Sequence, residues 1–318
     1  MNPRDLDGAR ALVTGGTGFI GRHMVAALAA NGAKVAILSR KSAPGSDGTA
    51  VYAGDLRNVA FVEKAVREFA PDIIFHLATF KQRSARIEDF VTATEVNVLG
   101  SLHLLAAAAD CKTLRAIVVM GTAEEYGRNP APFHESMREL PVSAYSYSKQ
   151  SLTHLCEVLH YLHGLPAVVL RPTIAYGPGQ SADMFLPALI ESLLKDAPFP
   201  MTAGEQTRDF VYASDVVDAA LLAATRPGVA GRVLNVGSGE VVTIADLARQ
   251  VAAMMGKSGL LQIGQLAYRQ GEVMSYSVDT TDARALLGWT PRIALEQGLA
   301  QTIDSRAVGP DQPRLAAG

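Results

Sequence analysis

Cysteine and tryptophan are almost missing from this sequence, which has two Cys, at 111 and 156, and one Trp. Two cysteines cannot build a disulfide framework; they are expected to be reduced thiols in a reducing compartment, with no metal role. No charge sign prevails, for the formal net charge is −2. Without a basic excess, neither nucleic acid nor an anionic membrane surface is an expected partner. No uninterrupted apolar run reaches the ~18 residues that a membrane helix needs. No charged-then-apolar leader precedes the first strand, so the cytoplasm is the expected location. Internal repeats and low-complexity segments are absent. Residues 305–318, rich in Pro, Gly and Ala, lack an apolar period and are expected to be a loose end.

What the chain does have is apolar residues, 48% of its 318 positions against 19% charged, enough for a sizeable core. Short β-type runs alternate with amphipathic helical stretches. Strands are expected at 11–14, 35–38, 51–52, 72–77, 116–120 and 167–170. Helices are expected at 19–31, 59–69, 95–109 and 144–163. Such near-continuous apolar strands with helical crossovers predict an α/β, doubly wound parallel sheet with its ligand crevice beyond the carboxyl ends of the strands. After Arg171 the rhythm breaks at Pro172, Pro178, Pro187, Pro198 and Pro200. A helix is expected at 185–194, a strand at 233–236, a helix from Thr243 as N-cap to 255, and a short helix at 281–288. The reading is a dinucleotide-binding domain over 1–171, with a returning segment at about 211–240, and a smaller mixed α/β lobe for substrate over 172–304.

Gly15, Gly18 and Gly21 punctuate Gly15-Gly16-Thr17-Gly18-Phe19-Ile20-Gly21, between a strand and a helix. Missing Cβ atoms let the backbone approach a pyrophosphate, whose charge suits the free N–H groups of a helix start. The turn, Thr17, Phe19 and Ile20 included, is read as a dinucleotide site. The second strand ends Leu38-Ser39-Arg40-Lys41. A carboxylate there would hold the ribose hydroxyls of NAD; Ser39 and Arg40 suit the 2′-phosphate of NADP. NADP is therefore the expected cofactor, with NAD second. Asp55, followed by Leu56, either accepts from the adenine amino group or caps the next helix. Leu77 ends the fourth strand, Ala78 and Lys81 follow it, and all three are expected to line the same crevice.

Tyr145 and Lys149 are four apart, on one face of a helix. A phenol titrates near ~10 and is a poor proton shuttle at neutral pH, but an adjacent ammonium stabilises its anion. The pair supplies a tunable acid and base, although this spacing also occurs on ordinary helices. Thr122, after the fifth strand, is placed to hydrogen-bond the reacting oxygen or to cap a turn.

These residues, with His76-Leu77-Ala78, Asn97-Val98-Leu99-Gly100, Arg171-Pro172, Arg208-Asp209-Phe210-Val211-Tyr212, Arg269-Gln270-Gly271-Glu272 and Leu287-Gly288-Trp289, make the chain resemble the extended short-chain dehydrogenase/reductases, the NAD(P)-dependent epimerase/dehydratase family acting on nucleotide sugars. The resemblance implies a Rossmann domain and a homodimer packed through the helices at 95–109 and 144–163. It implies that Tyr145 exchanges a proton with a sugar oxygen and that Lys149 binds the nicotinamide ribose. Thr122 would support the same oxygen, and Arg171–Thr173, with Pro172 near the ring, would form the nicotinamide side. Arg208 and Arg269 would hold the substrate diphosphate, unless they are surface ion pairs, and Asn97 would be structural.

Family members resembling this chain that eliminate water place an Asp–Glu pair after the threonine. Here the residues are Ala123 and Glu124, which removes half of that acid–base pair and leaves Glu124 as a base or a sugar-orienting group. With the basic end of the second strand, this points to a 4-ketoreductase of a nucleotide-linked 4-keto-6-deoxyhexose. The alternatives are a nucleotide-sugar 4-epimerase, a mannose-type 4,6-dehydratase, a reductase of other carbonyl compounds, and a non-catalytic cofactor-binding protein.

Overall fold

A computed structural model describes residues 6–40, 48–269 and 271–307. Lys41, Gln270 and the part of the expected loose end beyond 307 lie outside the described residues. The first lobe runs β1 (Arg10–Thr14), α1 (Phe19–Ala30), β2 (Lys34–Ser39), β3 (Ala50–Ala53), α2 (Val59–Phe69), β4 (Ile73–His76), α3 (Ile87–Ala93), α4 (Gly100–Ala109), β5 (Ala116–Met120), α5 (Ala144–His163) and β6 (Ala167–Pro172). The chain continues with β7 (Ile174–Tyr176), α6 (Phe185–Leu194), β8 (Phe199–Met201), β9 (Thr207–Tyr212), α7 (Ala213–Thr225), β10 (Val233–Val236), β11 (Val241–Thr243), α8 (Ile244–Met254), β12 (Leu261–Ile263), β13 (Ser275–Tyr276) and α9 (Leu295–Ala307).

Seven strands form one sheet in the order β10-β6-β5-β4-β1-β2-β3, every pair parallel. Residues of β4, β5 and β6 are buried throughout, which is why their sequences are continuously apolar rather than alternating. β1 has β2 on one side and β4 on the other, so the chain reverses direction of travel there and opens a crevice beyond the carboxyl ends of β1 and β4. Local signals set the helix ends. Asn58 accepts from Phe61 N to cap α2, Ser143 and Ser146 form a reciprocal cap on α5, and Gly164 in the left-handed region stops α5.

The smaller lobe holds a sheet in which β9 is flanked by antiparallel β11 and parallel β13 and also pairs with β7; β12 pairs with β8. Leu189, Leu193, Leu247, Val251 and Leu299 fill its core. The chain then returns to the main sheet through α7 and β10, and more of it returns than the expected 211–240. Ala283, Leu287 and Trp289 share a core with Val13, Phe75 and Val118, and Trp289 Nε1 donates to Asp215 O at 3.0 Å.

Two further expectations are corrected. The helix expected from 95 begins at Ile87 and continues through a π-helical stretch at Thr94–Leu99 into α4. This 23-residue run holds an 18-residue window with a mean hydropathy of 1.3, and it is long and apolar enough to cross a membrane by length and composition alone. Glu88, Asp89 and Glu95 break it as an apolar run in the sequence. In the fold it packs on α2 and α5, with Asn97 and Ser101 buried and hydrogen-bonded. The second correction is at the other end of the chain, where α9 continues to Ala307, so residues 305–307 are helical rather than loose.

Candidate active site

The glycine turn is built for close approach. Gly15 has φ +69°, and a Cβ there would meet Ala78 N at 2.8 Å; a Cβ on Gly21 would lie 2.1 Å from Gly15 O. β1 and β4 thus touch backbone to backbone at the crevice, and Ala78 N donates to Thr14 Oγ1 at 3.1 Å. Gly18 is the N-cap of α1 and offers no side chain to its N–H groups, and no acidic residue lies in the first turn. Thr17 and Gly18 are exposed, Phe19 and Ile20 half-buried. An uncapped, anion-ready helix start under a bare glycine turn fits a dinucleotide pyrophosphate.

Beneath it, His76 is fully buried and links the strand to the helix behind. Nδ1 lies 2.7 Å from Thr14 Oγ1 and Nε2 2.7 Å from Ser101 Oγ. Ser101 Oγ donates to Asn97 O, so it accepts from Nε2–H, and Nδ1 accepts from Thr14. Burial, then the charge of Lys149, pulls the imidazole down to about 3. Asn97, in the π-helical stretch, accepts from Phe80 N at 2.6 Å and donates to Phe80 O and Ser148 Oγ, both at 2.9 Å. It therefore pins the segment after β4 against α5, a structural role as expected.

At the end of β2, Ser39 is buried and Arg40 exposed, its charge near Asp55. Asp55 is no helix cap, since Asn58 caps α2. Its carboxylate accepts from Arg57 N and from the Arg57 guanidinium, both at 2.9 Å, and Leu56 beside it is buried. Lys81 points elsewhere than the turn and pairs with Asp183 of the smaller lobe at 3.3 Å. Leu77 is half-buried and Pro172 buried. Arg171, expected on the nicotinamide side, is wholly buried and bonded to Glu125 at 2.7 Å and Glu139 at 2.6 Å. It is an internal brace.

Beyond β5 the chemistry gathers. Thr122 caps the 3-10 turn Ala123–Tyr126, accepting from Glu124 N at 3.2 Å, and its side chain also favours the ionised phenol of Tyr145. The side chain that caps the turn is thus also the one at the phenol. Glu125 has no exposure and accepts from Thr122 N, Thr153 Oγ1 and Arg171 Nε. Lys149 is buried, and its ammonium donates to Met120 O at 2.7 Å. Burial pulls it down to about 8 against the opposing charge of Glu125. The expected acidification of Tyr145 by Lys149 is not what the geometry holds. Burial first and Glu124 second push this phenol above its ordinary range, while Arg83 and Thr122 pull it down. The ammonium is turned to the end of β5 instead.

Two side chains that the sequence did not single out complete the cluster. Arg83 Nε donates to Glu124 Oε1 at 2.6 Å, and its guanidinium carbon lies 5.2 Å from the Tyr145 ring centroid. Tyr276, from β13, is pushed well above its ordinary range by burial, with Glu124 and Tyr145 adding to it and Thr122 opposing it. Arg208 stands over the Tyr276 ring at 6.0 Å and pairs with Glu272 at 2.6 Å. Arg208, expected to hold the diphosphate, thus borders the cluster around Tyr145, whereas Arg269 is exposed on the approach to β13. The one signal that could have found Tyr276 is its position just after Arg269…Glu272; nothing local marked Arg83.

A parallel sheet with a glycine turn at its reversal point, and a buried tyrosine and lysine beyond β5, define a dinucleotide-dependent oxidoreductase of the extended short-chain type. Over residues 11–237 the chain matches the NAD dependent epimerase/dehydratase family, and it belongs to that family. It is 28% identical to a dTDP-glucose 4,6-dehydratase of Xanthomonas campestris pv. campestris over 92% of both chains. It is 30% identical to a UDP-glucose 4-epimerase of Mycolicibacterium smegmatis, over 93% of this chain and 97% of that one. The crystal structure of a Thermus thermophilus UDP-glucose 4-epimerase complex with NAD superposes with a TM-score of 0.84 at 32% identity, covering 93% of this chain and 98% of that one.

Proposed function

We propose that this enzyme moves a hydride between a nicotinamide and carbon 4 of a nucleotide-diphosphate sugar, and that its net reaction is reduction of a nucleotide-linked 4-keto-6-deoxyhexose. The observation that carries the reading is the pair after Thr122. Ala123 is fully buried and has no ionisable group, and Glu124 is bound to Arg83. Half of the acid–base pair that would expel a hydroxyl is missing there, which counts against a glucose-type dehydratase and leaves proton exchange at one oxygen; a mannose-type 4,6-dehydratase stays an alternative, with dehydratases among the relatives.

In this reading the nicotinamide supplies the hydride. Tyr145 gives its phenolic proton to the oxygen of the former carbonyl, with Thr122 supporting the ionised phenol. Lys149 lies on the cofactor side and contributes charge and a donor for the ribose. Arg208, beside Tyr276, engages the diphosphate in exchange for Glu272. Ser39 and Arg40 favour NADP, because β2 ends without a carboxylate to take the ribose hydroxyls. The 4-epimerase reading is favoured by the 30% identical epimerase and by NAD in the Thermus structure.

Absorbance at 340 nm with NADPH and UDP- or dTDP-linked 4-keto-6-deoxyglucose tests the proposal, and net oxidation is expected. Interconversion of UDP-glucose and UDP-galactose without net cofactor turnover would establish the epimerase. Tight NADPH binding with no turnover of any of these sugars would leave a binding protein.

A further inference from the structure

The groups that face the Tyr145 phenol come from four places besides its own helix. Thr122 and Glu124, with Glu125 behind them, come from the turn after β5; Tyr276 comes from β13, with Arg208 of β9 beyond its ring; Arg83 comes from the segment after β4. On the same helix, Lys149 is engaged by the Met120 carbonyl. Arg83 is thus the cation seated on the tyrosine ring, at a distance where charge and ring attract.

Its place is fixed from three sides. Asn97 holds Phe80 on one side of it. On the other, Ala144 N donates to Ser84 O at 2.9 Å, which ties the Arg83 segment directly to the helix start that carries Tyr145. The Arg83 head is held by Glu124, and the two side chains are 43% and 26% exposed, so water screens them only in part. We infer that Arg83, seated over the Tyr145 ring and held there by Glu124, is a positioning residue whose charge favours the Tyr145 phenolate. The inference rests on the reading above that Tyr145 exchanges the proton. It adds a tuning charge from outside the Tyr–Lys pair. Arg83 favours the phenolate and Glu124 opposes it, so the two substitutions act in opposite directions on one group.

The test is a 19F NMR titration of the NADP-loaded enzyme carrying 3-fluorotyrosine, whose phenol is more acidic than that of tyrosine. A Tyr145→Phe sample identifies the resonance. Arg83→Met is expected to move the Tyr145 titration up by about one pH unit, the lower end of what a single close opposite charge produces. Arg83→Lys is expected to restore most of that shift, and Glu124→Gln to move the titration down. General damage to the site would not give shifts of opposite sign. Identical Tyr145 titrations in wild type, Arg83→Met and Glu124→Gln would overturn the inference, as would shifts of the same sign. The titration needs no turnover. Failure of the nucleotide-sugar assay would therefore sink the functional reading and leave this measurement standing.

Discussion

The ammonium of Lys149 donates to the carbonyl oxygen of Met120 at 2.7 Å, at the last residue of β5 and two before Thr122. This bond keeps a buried cation partnered, yet burial still draws it down to about 8 from an ordinary 10.5. Lys149 therefore loses its proton as pH rises through about 8. If it donates to the nicotinamide ribose, NADPH affinity should fall over that range. Lys149→Met should bind more weakly at pH 7 and show no such fall. Titration by nicotinamide fluorescence at pH 7 and 9 measures both; equal pH dependence in the two proteins would remove Lys149 from the cofactor site.

Gly21→Ala tests the glycine turn. Its new Cβ would sit 2.1 Å from Gly15 O, a backbone atom that cannot swing aside. The expected outcome is a loss of stability of about 1–3 kcal/mol, typical of overpacking, together with weaker NADPH binding because Gly15 must shift. Calorimetry and the same fluorescence titration follow it. An unchanged Tm with unchanged affinity would mean that the turn is not closed as described.

His76 makes the fold acid-sensitive. Its imidazole titrates at about 3 when folded and at an ordinary 6.5 when unfolded. Between those values the unfolded chain binds more protons, so stability rises with pH across the window and is lost as pH falls from 6.5 toward 3. Protonation would also put a second N–H against Thr14 Oγ1, which already donates there. Urea unfolding at pH 7 and pH 5 should show wild type losing about 2 kcal/mol more than His76→Gln, at ~1.36 kcal/mol per pH unit over the part of the window crossed. Parallel losses in the two proteins would contradict this.

Self-association is expected through α3 and α5. Tyr147, Val158, Tyr161 and Leu162 are exposed on α5, Tyr161 at 86%, and Ile87 and Val91 on α3, Ile87 at 73%. Exposed side chains of this size at helical spacing suit a helix-on-helix interface between two copies. Sedimentation should find a homodimer, and Val158→Glu with Tyr161→Glu should give a folded monomer. A monomeric wild type would refute this assembly.

Much of the architecture was legible because strands buried on both faces are continuously apolar and glycines mark the turn at β1. The capping residue Thr243 and the Tyr145–Lys149 spacing are local signals of the same kind. What was illegible depends on contacts between distant segments. Tyr276 reaches Thr122 only because β13 pairs with β9, and strands of two or three residues carry no alternation to read. Arg83 lies in a segment without motif, and its seat on Tyr145 comes from Asn97 and Ala144. Arg171 read as a pocket residue because sequence cannot show that Glu125 and Glu139 enclose it. The start at Ile87 was hidden by Glu88, Asp89 and Glu95, charged residues that sit on the exposed or half-buried side of the helix without ending it.

The central claim is that the Tyr145 hydroxyl delivers the proton at the reacting oxygen. Single-turnover oxidation of bound NADPH by a nucleotide-linked 4-keto-6-deoxyhexose, followed by stopped-flow absorbance at 340 nm, compares wild type with Tyr145→Phe. A rate reduced by about 10²–10⁴-fold, with NADPH affinity unchanged, is the predicted result. Equal rates in the two proteins would contradict the account.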